Sequence, residues 1–161
     1  MNEALITRWN SVVSPEDQVY VIGDFVMGKR AETMPLLELL NGTIGLVPGN
    51  HDACHPMLRK WEKGKEAFEN VGIRVLPTQF EHTIGNQKFL VCHFPYTGDS
   101  EPEDRYQDQR PINRGLPLLH GHIHDMWKVK DNMINIGSDV WDFTPVEEST
   151  LLELTKTSGI I

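Results

Sequence analysis

Apolar positions along the chain follow two different periods. Ala4, Leu5, Trp9, Val12 and Val13 recur at helical spacing until Ser14-Pro15 interrupts them, so the chain opens on an amphipathic helix. Val19-Tyr20-Val21-Ile22 is a short apolar run rich in branched and aromatic residues, which predicts a strand buried on both faces and ending in Gly23-Asp24. Ala31 to Leu40 returns to helical spacing through Met34, Leu36, Leu37, Leu39 and Leu40, with Asn41-Gly42 as its stop. A second strand over Ile44 to Val47 runs into Pro48-Gly49-Asn50-His51-Asp52, and Met57 to Phe68 predicts a further helix weakened by Gly64.

After Ile73 the texture becomes strand upon strand. Ile73 to Leu76, Gln79 to Ile84 and Lys88 to Cys92 are predicted strands, the last two joined by the hairpin signal Gly85-Asn86. Tyr96 to Gly115 holds few apolar and many charged residues and predicts a long loop of the functional or mobile kind. Leu116 to Leu119 resumes a strand, Met126 to Lys130 and Met133 to Ile136 flank the turn Asp131-Asn132, and Leu151 to Leu154 predicts a closing strand before a tail at Ser158 to Ile161. Helix-linked strands first and antiparallel strands later point to an α/β fold, a mixed sheet or a two-sheet sandwich covered by helices.

Length narrows this to a single domain over residues 1–161, too short for two ordinary ones. A formal charge of −8 argues against a general nucleic-acid binder, and no apolar run reaches the roughly 18 to 20 residues of a membrane helix. With no leader-like start, the expectation is a cytosolic protein. Cys54 and Cys92 are too few for a disulfide framework or a four-thiolate zinc site, and read as buried free thiols.

Candidate chemistry changes the picture most. Four predicted strands end in possible ligands: Asp24 after VYVIG, Asn50 and His51 after IGLVPG, His93 after KFLVC, and His122 and His124 in LLHGHIH. Taken singly, Asp24 can be a turn or cap residue, Asn50 a left-handed turn, and His93 a satisfied core histidine. Taken together they suggest a site at strand carboxyl ends, where open α/β sheets place their ligands. Carboxylate, amide oxygen and imidazole suit Mn²⁺, Fe²⁺, Co²⁺ or Zn²⁺ rather than soft thiolate chemistry.

In this order, Gly23-Asp24, Gly49-Asn50-His51-Asp52, His93 and Gly121-His122-Ile123-His124 resemble the calcineurin-like metallophosphoesterase signature, in its small bacterial and phage form. The resemblance implies a two-sheet β-sandwich flanked by helices. It implies that Asp24 bridges two divalent ions (Mn²⁺ first, with Fe²⁺, Zn²⁺, Co²⁺ or Ni²⁺ as substitutes), that Asn50, His93 and His122 complete one site, and that His124 serves the other. His51 would contact or protonate the leaving oxygen, with Asp52 orienting it, in two-metal hydrolysis of a phosphomonoester or phosphodiester with ions roughly 3.5 to 4 Å apart.

One departure stands out. The family pattern begins with an Asp-x-His at the end of a first strand, and none precedes Asp24 here. The expectation is that this first strand is missing, leaving one site incomplete and a sheet edge prone to self-association, a possible homodimer. A catalytically impaired metal-binding or interaction module is the alternative to an active hydrolase. Arg105, Arg110 and Arg114 are candidates for gripping the phosphate of a small molecule or nucleotide, although a solvated charged loop is the simpler reading.

Overall fold

β1 (Gln18–Ile22) and β2 (Thr43–Val47) lie side by side and parallel, in the register Val19 to Ile44 and Ile22 to Val47. β3 (Arg74–Val75) joins β2 on its other side, giving a three-stranded parallel sheet of order β1-β2-β3. This computed structural model describes residues 2–160; Met1 and Ile161, the last residue of the expected tail, lie outside them. The chain packs as two compact units, residues up to Thr78 and those from Gln79 onward.

The first unit follows the sequence pattern with three instructive exceptions. α1 (Asn2–Val12) forms as predicted and presses Trp9 against Phe25, ring centroids 6.2 Å apart. Its end is stitched to the approach of β2: Trp9 Nε1 donates to the Asn41 carbonyl at 2.9 Å, and Asn41 donates from its side chain to the Val13 carbonyl at 3.0 Å. β1 is less buried than its apolar run implies, with only Ile22 fully buried, because a strand with one sheet neighbour keeps an open flank. The predicted helix over 31–40 divides into α2 (Arg30–Thr33) and a 3₁₀ helix, Met34–Leu39, since Pro35 has no N–H to carry an α-helix on. The predicted helix from Met57 starts only at Trp61 (α3, Trp61–Glu69). Residues 49–61 are instead a series of tight turns in which Asp52, His55, Leu58 and Trp61 each donate back three residues.

Ile44, Leu46 and Val47 of β2 are 3%, 0% and 0% exposed and pack with Phe68, Ile73 and Cys54. Full burial of each such side chain contributes about 1.5 to 3 kcal/mol. Gly64 has a packing reason inside α3: a Cβ there would collide with the Ala53 carbonyl and fall 2.7 Å from the Cys54 nitrogen.

The second unit is a five-stranded mixed sheet of order β4-β5-β6-β8-β7. β4 (Gln79–Ile84) and β5 (Gln87–Cys92) form the predicted hairpin, pairing Gln79 with Cys92 and Ile84 with Gln87 around Gly85-Asn86. β6 (Leu118–His120) runs parallel to β5 and to β8 (Met133–Asn135), while β7 (Val129–Lys130) pairs antiparallel with β8. The predicted closing strand over 151–154 is wrong: Glu148–Thr157 is a helix, α4. Leu151 and Thr155, four residues apart, are its buried positions, and the LLEL run was too short to separate the two periods. No helix among the described residues is long and apolar enough to cross a membrane.

Candidate functional site

In the first unit, both turns that carry candidate residues leave the same end of the sheet, because β1 and β2 are parallel and Ile22 is in register with Val47. Asp24 and the Gly49–Asp52 turn therefore meet. Asp52 is 1% exposed and its carboxylate ties them: Oδ2 accepts the N–H groups of Asp24 at 2.7 Å and Gly49 at 2.9 Å, and Oδ1 accepts that of Phe25 at 3.0 Å. Both oxygens thus serve backbone geometry rather than the His51 ring. Burial pushes the Asp52 carboxyl up, with the Asp24 charge adding to it, against the three N–H donors that favour the ionised form.

Asp24 Oδ1 accepts the His51 backbone N–H at 2.9 Å, leaving the His51 side chain exposed at the surface and Asn50 half-buried beside it. Gly49 is required by this approach, since a Cβ would sit 2.6 Å from the Asp24 nitrogen and strike its carboxylate.

In the second unit, β5 and β6 deliver two imidazoles from parallel neighbours in the same way. His93 follows β5, and its carbonyl accepts the Gly121 N–H at 3.1 Å just before His122. The rings of His93 and His122 have centroids 5.2 Å apart at 75°, with Phe94 5.0 Å from each and Tyr106 5.4 Å from His122. His124 is exposed, and its backbone is held by Asn135, a fully buried residue whose amide donates to the His124 carbonyl at 2.7 Å and the Trp127 carbonyl at 3.0 Å.

The loop after Tyr96 is pinned, with one short 3₁₀ helix at Gln107–Gln109. Asp99, its side chain 1% exposed, accepts from Arg105 Nη2 at 2.7 Å, the Arg105 N–H at 3.1 Å and the Glu101 N–H at 3.2 Å, and reaches His122 Nε2 at 3.3 Å. Burial acts to raise the Asp99 carboxyl, but Arg105, the Glu101 N–H and His122 outweigh it and hold it well below the usual range. Arg110 pairs with Asp104 and donates to the carbonyls of Gly98 and Arg105, both at 3.0 Å. Two of the three candidate arginines are therefore engaged within their own loop, and Arg114 stands exposed.

His120 was present in the sequence cluster without a role. It is fully buried, with Nδ1 2.8 Å from the Gly121 carbonyl, its ring 5.0 Å from Trp127, and no hydrogen-bond partner for Nε2 among the described residues. Burial, with the neighbouring His93 and His122, lowers its pKa to about 4. Asp99 and Asn135 escape the sequence reading altogether: one sits in a loop full of acids, the other in a strand of apolar residues. Among the described residues, no three His, Cys, Asp or Glu side chains form a group that could hold an ion.

Comparison with known proteins bears on both the architecture and the motifs. The α/β fold, two sheets flanked by helices, matches a solved structure of a protein of unknown function from Aquifex aeolicus. The TM-score is 0.69 at 24% identity, over 95% of this chain and 84% of that one. In sequence, the chain is 35% identical over 157 residues to the Gene 66 protein of Mycobacterium phage D29, covering 89% of this chain and 78% of the relative. It is 33% identical over 150 residues to the Gene 66 protein of Mycobacterium phage L5, covering 85% and 72%. The family model for calcineurin-like phosphoesterases matches residues 2–148, and the chain belongs to that family.

Proposed function

We propose that the protein hydrolyses phosphomonoesters or phosphodiesters with divalent metal ions, Mn²⁺ foremost, and that its substrates are phosphorylated small molecules or nucleotides. The observation that carries this reading is where left-handed backbone falls. Among the described residues, Asp24, His122 and His124 are three of the seven non-glycine residues with positive φ, at 54°, 67° and 50°. Such conformations cost of order 1 to 3 kcal/mol each, persist only where the surrounding structure over-determines them, and cluster at active sites and ligand clamps. Three of the five expected ligands carry that strain.

The donor set fits hard or borderline ions. Asp24 and Asn50 offer oxygens, His93 and His122 a close pair of imidazoles, and His124 a further one. When bound, divalent ions would supply Lewis acidity toward phosphate oxygens and a water of lowered pKa. The chain's own groups do the rest. Asp24 fixes the His51 backbone, which leaves the exposed imidazole available to donate a proton to the leaving oxygen. Asp52 is a positioning residue that holds the Asp24 and Gly49 turns together, and Asp99 acts likewise on His122.

The test combines calorimetric Mn²⁺ titration with hydrolysis of 4-nitrophenyl phosphate and bis(4-nitrophenyl) phosphate by wild type, Asp24→Ala and His93→Ala. The expected result is turnover by wild type only and weakened ion binding in both variants. Equal turnover in all three would remove the proposed site, and ion binding without turnover by wild type would favour a non-catalytic module.

A further inference from the structure

The first unit contains a cavity of about 330 Å³ that reaches beyond the candidate site. His51 forms part of its wall. The remainder is apolar and cationic: Val26, Met27 and Leu58 on one hand, Arg30 and Lys60 on the other. Among the described residues no carboxylate lines it, in a chain whose formal charge is −8. Of the other cations in this unit, Lys29 pairs with Glu32 at 3.2 Å and Lys65 with Glu69 at 3.7 Å, while Arg59, Lys63 and Arg74 pair with no carboxylate among the described residues; what sets Arg30 and Lys60 apart is that they stand on one cavity. Arg30 and Lys60 are exposed and pair with no carboxylate among the described residues.

We infer that this cavity takes the leaving-group side of the substrate, and that this side carries a second anionic group on an apolar body, as a nucleoside monophosphate does. The inference rests on the hydrolase reading for direction, since it is the leaving oxygen that His51 would face. The rest is complementarity. A phosphate is the group that a guanidinium and an ammonium without acid partners bind best, the first bidentately and the second as a point charge. Met27, 54% exposed at the cavity wall, is a flexible and polarisable side chain suited to lie against a sugar or base. The volume falls at the lower end for small-molecule sites, near roughly 300 Å³, which suits one nucleoside and not an oligonucleotide.

Binding of adenosine 5′-monophosphate and of adenosine to the full-length chain, measured by calorimetry before and after EDTA, tests this without turnover. Wild type is expected to bind the nucleotide about tenfold or more tighter than the nucleoside, as charge-assisted contacts allow. That gap should survive EDTA and close in the Arg30→Gln/Lys60→Gln double variant, both substitutions being at exposed positions. A gap absent from wild type, abolished by EDTA, or unchanged in the double variant would overturn the inference. A second readout is selectivity with Mn²⁺: kcat/KM for adenosine 3′,5′-bisphosphate over adenosine 3′-monophosphate should fall by about tenfold in the double variant. Absence of turnover with either substrate would count against the hydrolase reading alone, because the nucleotide–nucleoside gap judges the cavity by itself.

Discussion

Asp99 Oδ2 lies 3.3 Å from His122 Nε2, with the two side chains 1% and 3% exposed. A buried carboxylate against a proposed ligand imidazole selects the ring's tautomer and orientation, and Arg105 Nη2 holds that carboxylate by its other oxygen, Oδ1, at 2.7 Å. Asp99→Ala is therefore expected to weaken Mn²⁺ binding by about 10- to 100-fold, the usual cost of losing such a partner. Arg105→Ala should reproduce a smaller part of it. Calorimetric Mn²⁺ affinity in both variants checks this, and an unchanged affinity in Asp99→Ala would refute it.

The carboxylate of Asp52 holds three backbone N–H groups that have been taken from water. Asp52→Ala leaves them without an acceptor, at about 1 to 3 kcal/mol each before relaxation. We expect a net loss of about 4 kcal/mol in urea unfolding, and about 2 kcal/mol for Asp52→Asn, which keeps one oxygen. Amide exchange at Asp24, Phe25 and Gly49 should accelerate together, and acceleration at only one of them would contradict the shared anchor.

Replacing glycine by alanine inside an exposed helix ordinarily stabilises by about 1 kcal/mol. Gly64→Ala should do the reverse, because its Cβ would meet the Ala53 and Cys54 backbone rather than a side chain able to move. A destabilisation of about 1 to 3 kcal/mol is expected, typical of overpacking, and a raised melting temperature would rule the contact out.

Cys54 and Cys92 are 1% and 2% exposed, and burial pushes their thiols up to about 12 and about 11 from an ordinary 9. Both should remain unreactive toward a disulfide probe at pH 8 in the native protein and titrate fully in denaturant. Because the folded state favours the neutral thiol, this contribution to stability is complete below pH 9 and declines as pH rises through 11 to 12. Rapid labelling of native protein at pH 8 would be the contrary result.

Much of the architecture was legible from period alone. The runs ending at Ile22, Val47 and Cys92 are strands, and the Gly85-Asn86 hairpin forms where its turn chemistry puts it. Reading failed where a segment was too short to display a period, as at Leu151–Leu154, or where one imino acid changed the helix type, as at Pro35. It failed differently at the candidate site. Asp24, Asn50, His93 and His122 are named by their place after strands, whereas Asp99, Asn135 and the anchoring use of Asp52 depend on which polar group becomes buried, a tertiary outcome that local sequence does not encode.

The Asp52 anchor has a kinetic corollary. Since β1 and β2 end in register and one carboxylate grips both turns that follow them, the backbone that carries Asp24 and Asn50 is set in place as the chain folds. For the ion site proposed here, this half would need no loop to close around an arriving ion, so the speed of capture would be set by how fast the ion sheds its own hydration water, and would differ between Mn²⁺ and Mg²⁺ far more than between pH 7 and pH 8.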